Sequence, residues 1–384
     1  MKRGPPETNV TTAKKAKGTI TAKYFGSAGS FTHSAGEKYF SASRQNVDLS
    51  PAISLGALFE AVSTGDVDYC IVPYENSLSG TISSTVVQLL THPKLHIVGE
   101  ILDADELCLC TAPNATLESI KTVMSHSVSA NGIRVFTAYR LFSSFRPSPT
   151  LSLMLSSLSF LSLSLVVWQH LLAQSDGFLS SLANSTAIAR EPTFDSASAC
   201  AMVGTDVSKA AVASRRAAEA HGLVVLKTNF ADVESETRYV ILALNTTPSL
   251  SSHRLGRRCT VSYVLANRAG AMFKSLSCFA FRDLNIIKVS SVPLGGKQSI
   301  LNGNSSSSSS SSTSTSSSNG ASAANRWDYC FVVDFIASAN DEVNKAALES
   351  LKEFANSVRI LGEYSAAEMR NESPSKNMHH LAAF

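Results

Sequence analysis

A short apolar run, Tyr69-Cys70-Ile71-Val72, leads into Pro73-Tyr74-Glu75-Asn76-Ser77-Leu78-Ser79-Gly80-Thr81. Asp66 and Asp68 bound the run on one side and Pro73 on the other, so it predicts a buried strand. The segment that follows carries apolar residues at 82, 86, 89 and 90, the spacing of a helix. Glu75, Asn76, Ser77, Gly80 and Thr81 therefore stand where a strand ends and a helix begins. In open α/β sheets ligands bind beyond the carboxyl ends of strands, and a helix N-terminus offers free N–H groups to an anion. Gly80 lets the backbone approach closely or adopt a positive φ. The other reading of the same stretch is an ordinary polar turn.

A second stretch, Glu234-Ser235-Glu236-Thr237-Arg238-Tyr239-Val240-Ile241-Leu242, puts a hydroxyl and a guanidinium at the mouth of another apolar strand. Together the two stretches resemble the prephenate dehydratase family, whose marks are a Glu-Asn-Ser-x-x-Gly-Ser/Thr loop and a Thr-Arg-Phe/Tyr strand start. Tyr24-Phe25-Gly26-Ser27-Ala28-Gly29-Ser30-Phe31-Thr32-His33 resembles the family's opening glycine loop, with Ser27 where proline is usual. The resemblance spans residues 22–364 apart from two insertions. It implies a two-lobed type II periplasmic-binding-protein-like α/β catalytic domain over 21–245, followed by a ferredoxin-like (βαββαβ) ACT domain over 257–364.

At 384 residues the chain has room for two domains, and its formal charge of +3 points to no nucleic-acid or membrane partner. Seven cysteines without a Cys-x-x-Cys pair suggest neither a disulfide framework nor a zinc site. Residues 1–20 are polar and basic and lack an apolar core, which predicts a disordered tail rather than a secretory signal. A cytoplasmic protein is expected, with a plastid left open.

In chain order, strands are expected from 21 and over 69–72, 95–100 and 106–111, with helices over 31–40 and 81–90. Ser50-Pro51 reads as a helix start, an N-cap followed by proline, with Gly65 as the stop. A second lobe opens with a helix over 117–123 and then Met124-Ser125-His126-Ser127. Here the pattern breaks: residues 147–169 carry no charge and alternate serine with leucine, long enough to span a bilayer. Such a span would split the lobe's sheet. Joining Ser127 to His170 instead restores the family's spacing, with Gln174 where the family's motif has a glutamine. The 128–169 block begins with Val, whose codons start GT, and ends with Gln, whose codon can be CAG. We read it as a retained intron or a gene-model error, against the alternative of a genuine surface insertion.

Beyond the joint, strands are expected over 210–214 and 223–226 and helices after Asp195 and over 215–221. From 258 the order is β-α-β-β-α-β, the ferredoxin-like plan. Asn267-Arg268-Ala269-Gly270-Ala271-Met272 resembles the first ligand loop of an ACT domain, and Ser290-Ser291-Val292-Pro293 stands where the family has Glu-Ser-Arg-Pro. The serine tract within 303–325 cannot bury a core and predicts a solvated loop, and 365–384 a tail.

The resemblance implies a small-molecule substrate, prephenate or arogenate, and neither cofactor nor metal. It makes Thr237, Asn76, Gln174 and Ser125 the candidate catalytic residues. Glu75, Ser77, Gly80, Thr81, His126 and Arg238 would bind substrate, with Glu75 orienting its neighbours, since a carboxylate repels a dianion. Arg238 would hold a carboxylate or brace the loop. Asn267, Gly270, Ala271, Met272, Ser290 and Ser291 would form a regulatory site for L-phenylalanine in a homodimer or homotetramer. His170 and Ser175 depart from the family's glutamine and cysteine, and Ser290 and Val292 remove both charges of the second regulatory motif. With no chorismate mutase region ahead of it, a monofunctional enzyme is expected. If the insertion is real, the rival is a non-catalytic amino-acid-sensing subunit.

Overall fold

A computed structural model describes residues 20–42, 46–126, 175–182, 188–244, 256–294 and 329–367. The polar segment up to residue 19, the 128–169 block, Gln174, the serine-rich loop 303–325 and the tail beyond 367 lie outside the described residues.

The first lobe runs β1 (Ile20–Phe25), α1 (Phe31–Ala42), β2 (Val47–Ala52), α2 (Leu55–Ser63), β3 (Tyr69–Asn76), β4 (Gly80–Thr81), α3 (Ser83–Thr91) and β5 (Leu95–Ala104). The chain then crosses to a second lobe: β6 (Cys108–Thr111), β7 (Thr122–His126), α4 (Asp176–Leu182), β8 (Ala189–Thr193), α5 (Ser196–Val203), β9 (Lys209–Ala213), α6 (Arg215–Ala220) and β10 (Val224–Thr228). It returns as β11 (Glu236–Leu244) between β5 and β3. The C-terminal module follows as β12 (Arg257–Leu265), α7 (Ala271–Ala280), β13 (Ile286–Pro293), β14 (Tyr329–Ile336), α8 (Asp341–Lys352) and β15 (Ala355–Ser365). Its antiparallel strand order, β13-β14-β12-β15, is that of a ferredoxin-like sheet.

The second lobe has its own sheet, ordered β10-β6-β9-β7-β8. The first-lobe sheet instead continues into the module, because β15 lies beside β5 with Gly362 opposite Ile97. A Cβ on Gly362 would sit 2.3 Å from the Ile97 carbonyl oxygen, so only glycine allows that approach. Across this seam one apolar cluster joins Val86, Leu89 and Leu90 of α3 to Val292, Cys330, Val332 and Leu361 of the module. Arg359 of β15 donates to the carbonyls of Leu89 and Leu90 and to those of His92 and Leu95. It thereby satisfies acceptors that the end of α3 leaves open.

Three expectations are corrected. Ser50-Pro51 lies in β2, the edge strand beside β1, where a proline needs no ladder donor. The N-cap of α2 is Ser54, whose hydroxyl accepts from the Ala57 N–H at 3.3 Å. Residues 117–123 form only a short 3₁₀ turn at Leu117–Ser119, and Thr122 already starts β7, where Val123 and Met124 are buried inside the sheet. Finally, Thr81 does not open a helix. It folds back on β3 opposite Glu75, and α3 starts at Ser83.

Candidate active site

The register between β3 and β11 organises the site. Thr237 lies opposite Asn76, and Arg238 opposite Glu75. Successive residues of a strand face opposite sides. Asn76 and Thr237 therefore share one face, and Glu75 and Arg238 the other.

On the first face a polar cluster forms around Asp105, at the crossing from β5 to β6. Asn76 donates from Nδ2 to Thr237 Oγ1 at 3.0 Å and to Asp105 Oδ2 at 3.1 Å. Thr237 Oγ1 lies 3.1 and 3.0 Å from the two Asp105 oxygens. Ser235 adds a hydroxyl at 2.7 Å from Asp105 Oδ2 and a backbone carbonyl that accepts from the Asp105 N–H at 3.0 Å. Burial pushes the Asp105 carboxyl upward, hydrogen bonds from Ser235, Thr237 and Asn76 pull it down, and nearby Asp103 adds to the rise; the result is about 6. Neither Asp105 nor Ser235 stood among the sequence candidates. Their signal was faint: an acidic Asp103-Ala104-Asp105-Glu106 step directly after an apolar strand, and a serine two residues before Thr237.

The loop from Asn76 to Thr81 is held from within. Asn76 Oδ1 accepts from the N–H groups of Leu78 and Ser79 at 3.0 and 3.2 Å, and Gly80 takes φ +75°, a region that favours glycine. Ser77 is tied to Glu236, its N–H donating to the Glu236 carbonyl at 2.9 Å and its Oγ accepting from the Glu236 N–H at 3.0 Å.

The opposite face is built from charge. Arg238 is 5% exposed. Its Nε meets Glu100 at 2.8 Å, its Nη1 meets Glu75 at 3.0 Å, and its Nη2 meets the Tyr364 hydroxyl at 2.9 Å and Asp334 at 2.8 Å. Arg258 also reaches Glu100, at 2.9 Å, and Lys288 reaches Glu75 at 3.2 Å. The Tyr74 ring lies under both the Arg238 guanidinium and the Lys288 ammonium. Of the two roles expected of Arg238, holding a carboxylate or bracing the loop, this geometry fits the brace: Nε, Nη1 and Nη2 all meet protein partners, and Nη2 meets two in the module. Glu75 pairs with Arg238 and Lys288.

Ser125 lies on β7, within the second sheet. Its hydroxyl donates to the Val212 carbonyl at 2.7 Å inside the second sheet, and the residue has no exposed surface. His126 ends β7, and its side chain lies outside the described residues, as does Gln174. The lobes touch where the opening glycine loop meets α5 and α6. The Ser27 N–H donates to Asp195 Oδ2 at 2.7 Å, and the Ser214 hydroxyl donates to the Gly29 carbonyl. Gly29 takes φ +82°, and a Cβ there would lie 2.7 Å from Ala217 Cα, so no larger residue fits this contact.

In the module, Gly270 takes φ +77° just before α7, and Asn267 through Gly270 are exposed. Ala271 and Met272 begin the helix, with the Met272 carbonyl accepting from the Ser275 hydroxyl at 2.7 Å. Ser290 and Ser291 lie on β13. The module residues are not gathered with the Thr237 cluster, but Lys288, two positions before Ser290 on the same strand, reaches Glu75 beside the site.

The prephenate dehydratase family model matches residues 22–143 and 164–247. The gap of 144–163 falls inside the 128–169 block and is narrower than it. Among curated proteins, arogenate dehydratase/prephenate dehydratase 2, chloroplastic, of Arabidopsis thaliana is 29% identical over 364 residues, covering 94% of this chain and 77% of its own. Arogenate dehydratase 2 of Petunia hybrida is 30% identical over 348 residues, covering 90% and 71%. Among solved structures, a prephenate dehydratase from Arthrobacter aurescens in complex with L-Phe superposes with a TM-score of 0.63 at 20% identity, covering 90% of each chain. GqqA, described as a quorum quenching acylase, superposes at 0.61 with 21% identity, covering 90% of this chain and 98% of its own. The chain belongs to the prephenate dehydratase family.

Proposed function

We propose that this protein catalyses the decarboxylating dehydration of prephenate to phenylpyruvate, a step toward L-phenylalanine, in the cleft between its lobes. The observation that carries this reading is the Thr237 hydroxyl, held by Asn76 and Asp105 at the paired motif positions of β11 and β3. Prephenate becomes aromatic when carbon dioxide and the ring hydroxyl leave, so the protein must bind two carboxylates and assist departure of hydroxide. Thr237 donates a hydrogen to that oxygen. A threonine is a weak acid in water and is useful only where preorganised neighbours set its hydrogen bonding in a dry site. Thr237 is 7% exposed and Asn76 6% exposed, which meets that condition. Fold alone does not choose the reaction. GqqA shares the architecture and carries a different named activity.

A second reading, arogenate as substrate, is favoured by the plant relatives, which are named arogenate dehydratases. We read the C-terminal module as an ACT domain that binds L-phenylalanine between copies of the chain in a dimer or tetramer. A neighbour solved with L-Phe is in keeping with this. The chloroplastic relative makes a plastid as reasonable a site of action as the cytoplasm. The test is turnover of the purified protein on each substrate, followed by the release of phenylpyruvate or phenylalanine. Thr237→Ala lowers turnover at least ~100-fold, the low end of what one positioned proton donor contributes. A folded Thr237→Ala protein with near-parental turnover removes Thr237 from the mechanism.

A further inference from the structure

We infer that Asp105 is a positioning residue that sets the direction of the Thr237 hydroxyl and supplies the proton that Thr237 passes on. The inference rests on the reading of Thr237 as donor to the leaving hydroxyl.

A threonine hydroxyl has one hydrogen and two lone pairs. Asn76 Nδ2 occupies one lone pair of Thr237 Oγ1 at 3.0 Å. When Asp105 is ionised it can only accept, so the single Thr237 hydrogen points at the carboxylate 3.0 Å away and none remains for a substrate. When Asp105 carries a proton, the acid donates to the second lone pair of Oγ1. The Thr237 hydrogen is then free to turn into the cleft. The protonation state of one carboxyl thus decides whether the hydroxyl is a donor to substrate or to its own neighbour.

The step balances. The ring carbon–oxygen bond breaks with its electron pair going to oxygen. That oxygen takes the Thr237 hydrogen, and Thr237 takes the Asp105 proton. Electrons from the breaking bond to the departing carboxyl form the new ring double bond as carbon dioxide leaves. Water is the other product, and Asp105 recovers its proton from solvent.

The surroundings favour the acid form at the moment it is needed. Of the charged and titratable groups near Asp105, Asp103 on β5 carries like charge and is itself paired with Lys38. Tyr239 on β11 is a neutral phenol held well above its ordinary range, first by burial and then by Asp105 and Asp103. Arg238 and Glu75 point to the other face, and Glu106 is exposed and paired with Arg215. No cation is bonded to the Asp105 carboxylate among the described residues, whose partners are Ser235, Thr237 and Asn76. A bound dianion adds further like charge and raises the carboxyl above its free value of about 6.

The position also ties together the two crossings between the lobes. Asp105 lies on one crossing between the lobes and bonds through both backbone and side chain to Ser235 on the other. The acid therefore sits where the chain crosses between the lobes, beside the hydroxyl it orients.

The experiment is a pH–rate profile of the purified protein, of Asp105→Asn, Asp105→Glu and Thr237→Ala. In the parent, turnover falls as pH rises through the Asp105 value in the substrate complex, tenfold per unit beyond it. Asp105→Asn keeps the size and loses the titrating proton. It lowers kcat at least ~10-fold at pH 6 with KM changed less than ~3-fold, and removes that descending limb. Asp105→Glu restores part of kcat with a shifted limb. A folded Asp105→Asn protein that keeps the parental kcat and limb overturns the inference while leaving Thr237 in place, provided Thr237→Ala is inactive. An active Thr237→Ala protein overturns the underlying reading instead.

Discussion

Replacing Arg238 by methionine tests the charged face of the strand pair. Three cations, Arg238, Arg258 and Lys288, interlock with three acids, Glu75, Glu100 and Asp334, at 2.8 to 3.2 Å. Two unit charges about 3 Å apart attract by roughly 5 kcal/mol at an effective dielectric constant near 20. Most of that attraction offsets the cost of taking the charges out of water, so a balanced network contributes little net stability. Removing one member is different. Arg238→Met leaves Glu100 and Asp334, neither with exposed side-chain surface, one cation short. The expected loss is about 3–5 kcal/mol, the cost of an uncompensated buried charge, against a total of roughly 5–15 kcal/mol for a folded domain. Urea unfolding of the parent, Arg238→Met, Asp334→Asn and the double variant measures it. The double variant removes one charge of each sign, so its loss falls short of the sum of the singles by at least ~1 kcal/mol. A loss below ~1 kcal/mol in Arg238→Met, or strict additivity in the cycle, would refute the network as a coupled unit.

Two further predictions concern regulation and the interrupted second lobe. Ser290 and Val292 stand where the family has two charges; losing one hydrogen bond to a charged group costs about 1.5–3 kcal/mol, so inhibition by phenylalanine is expected to be roughly 10- to 150-fold weaker than a charged motif supports. Because Val292 is buried against Leu90 and Val332, the restoring substitution is Ser290→Glu alone, and an inhibition curve that does not tighten in that variant argues against the position. A chain lacking residues 128–169 is more soluble and more active than the full chain, since a long apolar insertion promotes association. Comparison with a chain lacking only 144–163 shows which boundary restores turnover, and a transcript that always carries the block counts against the intron reading.

Much of the fold was legible because apolar runs and glycines mark it out. The β-α-β-β-α-β order of the module follows from alternating strand and helix periods, and Gly65, Gly80, Gly222 and Gly270 all take the positive φ that ends or turns an element. Where prediction failed, a strong local signal lost to tertiary context. Ser50-Pro51 has the chemistry of a helix start, but the sheet had an open edge beside β1 that a proline can occupy. Leu117 to Val123 has helical spacing. Burying Val123 and Met124 between parallel neighbours nonetheless outweighed local helix propensity.

The paired motifs at Glu75-Asn76 and Thr237-Arg238 were legible in the sequence, but their directions and the neighbours Asp105 and Ser235 were not. Thr237-Arg238 and Glu75-Asn76 are adjacent pairs on strands, so one residue of each must face each side of the sheet. Sequence order cannot say which side each residue takes. That choice depends on the module, which covers one face with Tyr364, Asp334 and Lys288 and so draws Arg238 and Glu75 toward itself. Asn76 and Thr237 are left for the other face, where the two crossings bring Asp105 and Ser235 alongside them. A register slip of one residue would exchange the two sets. It would put a guanidinium beside Asp105 and bury a threonine among three acids that need a cation. The same ion network that docks the module therefore also holds the Thr237 hydroxyl on the Asp105 side, through the backbone rather than through any contact with it.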